Sequence, residues 1–78
     1  MYSMTMVEVS FRYGLIPGER EMSALDRVRE VYGIRRIRFN ENEHVIIVEY
    51  DATRMNADSV ASLLRGTGMD VKEKLALV

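Results

Sequence analysis

Apolar and polar residues alternate along the segment that starts at Val7. Val7, Val9, Phe11 and Tyr13 fall on one side, Glu8, Ser10 and Arg12 on the other. A period of two is that of a strand with one buried face. Gly14-Leu15-Ile16-Pro17-Gly18 interrupts it, because two glycines and a proline favour a loop. From Glu19 to Tyr32 the period lengthens. Met22, Leu25, Val28 and Tyr32 recur at spacings of three and four, with Ala24 and Val31 beside them, and predict an amphipathic helix with this stripe in the core. Glu19 and Glu21 fall in its first turn, where negative charge suits the helix dipole. Gly33 supplies a left-handed residue to end it.

A second alternation follows. Ile37 and Phe39 share one side of a short strand from Ile34 to Phe39, opposite Arg36 and Arg38. Asn40-Glu41-Asn42-Glu43 reads as a polar turn, and His44 to Tyr50 as a β-branched strand that completes a hairpin. Asn56 is a good N-cap for a helix from Ala57 to Arg65 whose apolar face is Val60, Leu63 and Leu64. Gly66 and Gly68 stop it, Met69 to about Leu75 forms the last strand, and the tail beyond frays. The order β-α-β-β-α-β, with no linker or repeat, predicts one ferredoxin-like α+β domain spanning residues 1–78. Its four-stranded antiparallel sheet would carry two helices on one face and leave the other to water or a partner.

Composition narrows the functions open to such a chain. There is no cysteine, which excludes disulfides, thiolate metal sites and cysteine nucleophiles together. The formal net charge of −1 gives no whole-molecule case for binding nucleic acid or membrane. No apolar run is long enough to span a bilayer, and Met1 to Met6 lack the pattern of a secretory leader, so a cytoplasmic location is expected. Charge is uneven locally. Arg27, Arg29, Arg35, Arg36 and Arg38 cluster in one stretch, and Glu41, Glu43, Glu49 and Asp51 in the next.

Three segments resemble the heavy-metal-associated domain, the fold of small copper chaperones and of modules in metal-pumping ATPases. Gly33-Ile34-Arg35-Arg36-Ile37-Arg38-Phe39-Asn40 is similar to the family's Gly-Val-x-x-Val-x-Val-Asn. Val48-Glu49-Tyr50-Asp51 is similar to its Val-x-Tyr-Asp, and the run from Val60 to Leu64-Arg65-Gly66-Thr67-Gly68-Met69 to its second helix and closing glycine. The resemblance covers about Val7 to Val71 and implies the same fold. It also implies a metal site, for the family grips soft cations with Cys-x-x-Cys between the first strand and first helix. By the family's spacing those two positions fall on Pro17 and Arg20. Neither carries a soft donor, and Arg20 adds a fixed positive charge.

Other chemistry is thin. Methionine is a fallback ligand for soft copper, and Met1, Met4 and Met6 lie together, with Met22 near the loop; Met6 reads as strand packing and Met22 as core. His44 is the single histidine, read as a solvated residue opening a strand. Glu41, Glu43, Glu49 and Asp51 read as solvated charges, not as a general acid–base pair. Gly14 to Gly18 precedes a helix but matches no phosphate-binding pattern, and Glu19 and Glu21 would repel an anion there. Phe11, Tyr13, Phe39 and Tyr50 fall in phase with buried residues, which removes the exposed aromatics that RNA-binding sheets use.

The expected function is therefore non-catalytic, with no cofactor: a metal-chaperone shape without the usual ligands, acting on a protein partner or a second copy. The candidate interface is the open sheet face, where Val45 and Ile47 make an apolar centre rimmed by Glu8, Arg12, Arg36 and Arg38. Two alternatives stay open. One is an atypical metal carrier using methionine or subunit-shared ligands; the other binds an anion or nucleic acid through Arg36 and Arg38.

Overall fold

A computed structural model describes residues 5–75. The elements are β1 (Met6–Tyr13), α1 (Glu19–Val28), β2 (Ile34–Asn40), β3 (Val45–Asp51), α2 (Ala57–Gly66) and β4 (Val71–Leu75). The strands form one antiparallel sheet in the order β2-β3-β1-β4, so β2 and β4 are its edges. The alternation read from sequence sets the register. Val9 pairs with Val48, Phe11 with Ile46 and Ile37 with Val48, which stacks the inward residues in rows.

Both helices cover that one face. Leu25 and Val28 of α1, with Val60, Ala61 and Leu64 of α2, join Val9, Phe11, Tyr13, Ile37, Ile46, Val48, Tyr50, Met69 and Val71 in a single cluster. Leu25, Ile46, Val48, Val60 and Leu64 are fully buried. Burying an aliphatic side chain of this size contributes about 1.5–3 kcal/mol before entropy is counted. The expected ferredoxin-like arrangement is the one found.

Several expectations need correction. α1 ends at Val28, not Tyr32. Beyond it the chain tightens: Glu30 donates to the Arg27 carbonyl and Val31 to the Val28 carbonyl, three residues back instead of four. Tyr32 consequently leaves the core, 72% exposed, with the Arg54 guanidinium 4.0 Å above its ring. Gly33 does adopt a left-handed conformation (φ 107°), but at the entry to β2. Met22 is 40% exposed rather than a core residue. His44 belongs to the turn, not the strand, and its φ of 55° lies in the left-handed region. Asp51, expected to be solvated, is the one buried charged residue among those described.

Asp51 is buried because it ends β3 under the loop that leads to α2. Its Oδ1 accepts the Thr53 hydroxyl at 2.7 Å and the Thr53 N–H at 3.0 Å, and Arg54 Nε lies 3.5 Å from Oδ2. The Thr53 bonds, side chain first and backbone second, hold the carboxyl below its ordinary range despite burial. At the sheet margin, Arg29 Nη1 donates to the Ile37 carbonyl of edge strand β2 at 3.1 Å.

Candidate functional site

The loop between β1 and α1 is where the resemblance places an ion. Pro17 precedes the helix N-cap, Gly18, and Arg20 is the second helical residue. The two side chains line different depressions. Pro17 borders a cleft with Tyr13 and His44; Arg20 borders a shallow one with Glu19, Ser23, Ala24 and Arg27. Proline offers no donor atom and guanidinium no lone pair for a cation, so these residues do not fit a copper(I) ion. Among the described residues, no group of three or more His, Cys, Asp or Glu side chains is placed to hold a metal.

The loop is held instead by the protein's own carboxylates. Glu21 reaches back to the helix start, where the Gly18 N–H donates to its Oε1 at 2.7 Å. That fills the place an anion would take at the helix N-terminus. Asp70, just before β4, grips the loop twice. Its carbonyl accepts the Gly14 N–H at 2.9 Å and its Oδ2 the Leu15 N–H at 3.1 Å. Glycine suits position 14, since a Cβ would collide with the Asp70 carboxylate unless that side chain shifted. With its backbone so tied, the loop presents Leu15 and Ile16 to solvent, each 75% exposed.

Behind this tip lies a cleft of about 300 Å³ lined by Tyr13, Ile16, Pro17, Met22, Phe39, Glu41 and His44. Its floor is aromatic. Tyr13 meets Phe39 edge to face at 5.8 Å and stacks on His44 at 5.2 Å with the rings 4° from parallel. The left-handed backbone at His44 turns the imidazole onto Tyr13, while its carbonyl accepts the Tyr13 N–H at 2.9 Å. Glu41 is the one carboxylate of the lining, and no lysine or arginine lines the cleft. Burial, followed by the Glu41 charge, pushes the Tyr13 phenol above its ordinary range.

The candidate residues elsewhere are arranged differently. Val45 and Ile47 do point away from the helices, each half-buried, while Ile46, Val48 and Tyr50 point inward. Arg38 pairs with Ile47 in register, and its guanidinium reaches across β3 to Glu8 Oε2 at 2.8 Å. Arg35 pairs with Glu49 at 3.2 Å and Arg12 with Glu73 at 3.6 Å. Arg36 lies opposite Glu49 on the same face and has no ion pair among the described residues. The sheet face is thus a lattice of cross-strand charges over two half-covered apolar residues. Among the methionines, Met1 and Met4 lie outside the described residues. Met6 opens β1 at the Asp51 end, whereas Met22 lies by the cleft near Tyr13 at the other, so the two are not pooled. Met22 and His44 do share the cleft.

Sequence reading missed the cleft because two of its walls come from residues off pattern: Met22, counted as core, and His44, counted as strand. The available signal was the turn Glu41-Asn42-Glu43-His44, which needs a residue tolerant of positive φ, as histidine is.

No protein-family model matches this sequence, and no curated protein matches it. Solved structures do. Apo-CopP from Helicobacter pylori superposes with a TM-score of 0.69 at 21% identity, over 85% of this chain and 100% of that one. The copper(I)-loaded first domain of the human copper chaperone for SOD1 gives 0.66 at 17% identity, over 90% and 97%. The apo HMA domain of a copper chaperone for superoxide dismutase gives 0.63 at 19% identity, over 100% and 79%. At these identities the likeness establishes the fold: the heavy-metal-associated architecture, carried by a chain without cysteine.

Proposed function

We propose that this chain is a non-catalytic module that works through protein contact, and that the contact is made at the loop end around Leu15 and Ile16. One observation carries the reading. Two large aliphatic side chains are three-quarters exposed at the tip of a loop tied down by Asp70 and Glu21. A loop ordered by its own hydrogen bonds needs no ion to present that tip. Burying an ordered apolar tip costs little conformational entropy, which favours association. The open sheet face, with Val45, Ile47, Arg36 and Arg38, is a less exposed apolar surface, already spanned by the Arg38–Glu8 bond.

The test places a photo-crosslinking amino acid at residue 15 and, separately, at residue 47. A discrete adduct from position 15 alone supports the loop end. An adduct from position 47 alone moves the interface to the sheet, and no adduct from either refutes protein contact. No helix among the described residues is long and apolar enough to cross a membrane.

Met22 and His44 in one cleft favour a second reading, a soft-metal carrier of unusual ligand set. Copper(I) titration against a chromogenic chelator separates the two. The contact module leaves the chelator loaded; the carrier strips it stoichiometrically, and His44→Ala abolishes the transfer.

A further inference from the structure

The far end of the molecule shows how this chain seats an arginine. Arg54 lies 4.0 Å above the Tyr32 ring with its Nε 3.5 Å from Asp51 Oδ2, so one guanidinium is shared by an aromatic face and a carboxylate. The cleft beside Tyr13 repeats two of those three parts. Its rings and the Glu41 carboxylate occur together, and no arginine or lysine is in its lining. Glu8, Asp26, Glu49, Asp51, Asp70 and Glu73 each pair with an arginine or lysine of the same chain, whereas Glu41 has no ion pair among the described residues. Tyr13 is 3% exposed and stacked against the imidazole, so the rings left to a ligand are His44 and Phe39, both half-buried. The Glu41 charge reaches this floor, as its effect on the Tyr13 phenol shows.

We propose that the partner met at the loop end inserts an arginine side chain into this cleft, its guanidinium against His44 and Phe39 and paired with Glu41, while apolar residues beside that arginine cover Leu15 and Ile16. The proposal rests on the loop-end contact reading and names the chemistry of its partner. Ile16 lines the cleft and also belongs to the exposed tip, so one partner segment reaches both. Guanidinium suits the site better than ammonium, because it is planar, stacks on rings and is more weakly hydrated. Its methylene stem lies against Met22 and Ile16. Glu43, in the same turn as Glu41, reinforces the negative sign, while Arg20 borders a separate depression. An arginine anchored between rings and a carboxylate, with apolar contacts around it, is the composition of an interface hot spot.

Amide NMR titration of the full chain tests the cleft with two probes of one shape. Benzamidinium is a planar aromatic cation that carries the amidine half of a guanidinium; benzamide is its uncharged counterpart. Benzamidinium is expected to shift Tyr13, Phe39, Glu41 and His44 and to bind about fivefold or more tighter than benzamide. Glu41→Gln, at an exposed turn position, is expected to keep the native spectrum and erase that preference. Equal binding of the two probes, shifts centred elsewhere, or a preference that survives Glu41→Gln overturns the proposal. The crosslinker at residue 15 separates it from the contact reading. Adducts that map beside an arginine of a different protein and fall about fivefold or more on Glu41→Gln support it. Adducts that are undiminished by Glu41→Gln, or that join two copies of this chain, overturn it and leave contact at the loop end standing. Selective binding of benzamidinium with no residue-15 adduct also overturns it, by assigning the cleft to a free organic cation and removing the loop-end contact.

Discussion

Replacing Gly14 by alanine offers a test of the loop clamp in which even the sign of the effect is informative. A Cβ at position 14 would collide with Asp70 Oδ2 and come within 2.8 Å of Lys72 Cε. The lysine tip is flexible and can move. The carboxylate cannot move without releasing the Leu15 N–H and loosening its 3.3 Å ion pair with Lys72. A hydrogen bond to a charged group is worth about 1.5–3 kcal/mol when buried, and about 1 kcal/mol is reasonable at this exposed position. The ion pair adds about 0–1 kcal/mol. Against these losses, alanine restricts the unfolded chain and returns about 0.4–1 kcal/mol, because Gly14 does not need a left-handed backbone. The expected net loss for Gly14→Ala is about 1 kcal/mol, or roughly 4–8 °C in Tm for a chain of this size. In an Asp70→Ala background the obstruction is gone, so the same substitution becomes neutral or stabilising. Urea unfolding of the two single variants and the double variant gives a coupling energy of about 1–2 kcal/mol. Equal costs for Gly14→Ala in both backgrounds would refute the clamp, and with it the account of why the apolar tip stands ordered.

Other substitutions probe the frame on which the loop rests. Ile46→Ala removes a fully buried side chain of β3 from the core and should cost about 2–5 kcal/mol in urea unfolding; a loss under about 1 kcal/mol would mean the core is looser than described. Asn56 caps α2 by accepting the Ser59 N–H at 2.9 Å, so Asn56→Ala should lose about 0.5–2 kcal/mol, whereas Asn56→Asp should lose little. Asp51 has a depressed carboxyl pKa, so its stabilising effect is full above the ordinary carboxylate range and vanishes as pH falls through the depressed value. The stability gap between the native chain and Asp51→Asn should therefore be constant near neutrality and shrink on acidification; a gap independent of pH would show that Asp51 is not held as the anion.

Periodicity carried most of the fold and little of the site. Alternation in β1 and β3 assigns a face to every residue, because a register slip would drive Glu8 or Glu49 into the core. Asn56 marked the start of α2 since a cap is a local, chemical signal. The end of α1 was less legible. Tyr32 sits at helical spacing, yet the chain tightens after Val28 and leaves its ring in solvent against Arg54, a residue far along the chain. Asp51 looked like a charge at a strand end, and only the fold-back of Thr53 makes it a buried one. The missing ion ligands were plain, because the absence of cysteine is a matter of composition. The cleft was not, because it depends on one backbone dihedral at His44 and on which side of α1 faces the hairpin.

The arginine on the margin of the sheet has a separate consequence. An outermost strand offers unsatisfied carbonyls to any passing polypeptide, and lateral growth by that route ends in fibrils. Arg29 occupies the Ile37 carbonyl with a bulky cation, and the exposed Arg36 adds a charge on the same strand. Sideways growth along β2 is thereby obstructed at that carbonyl.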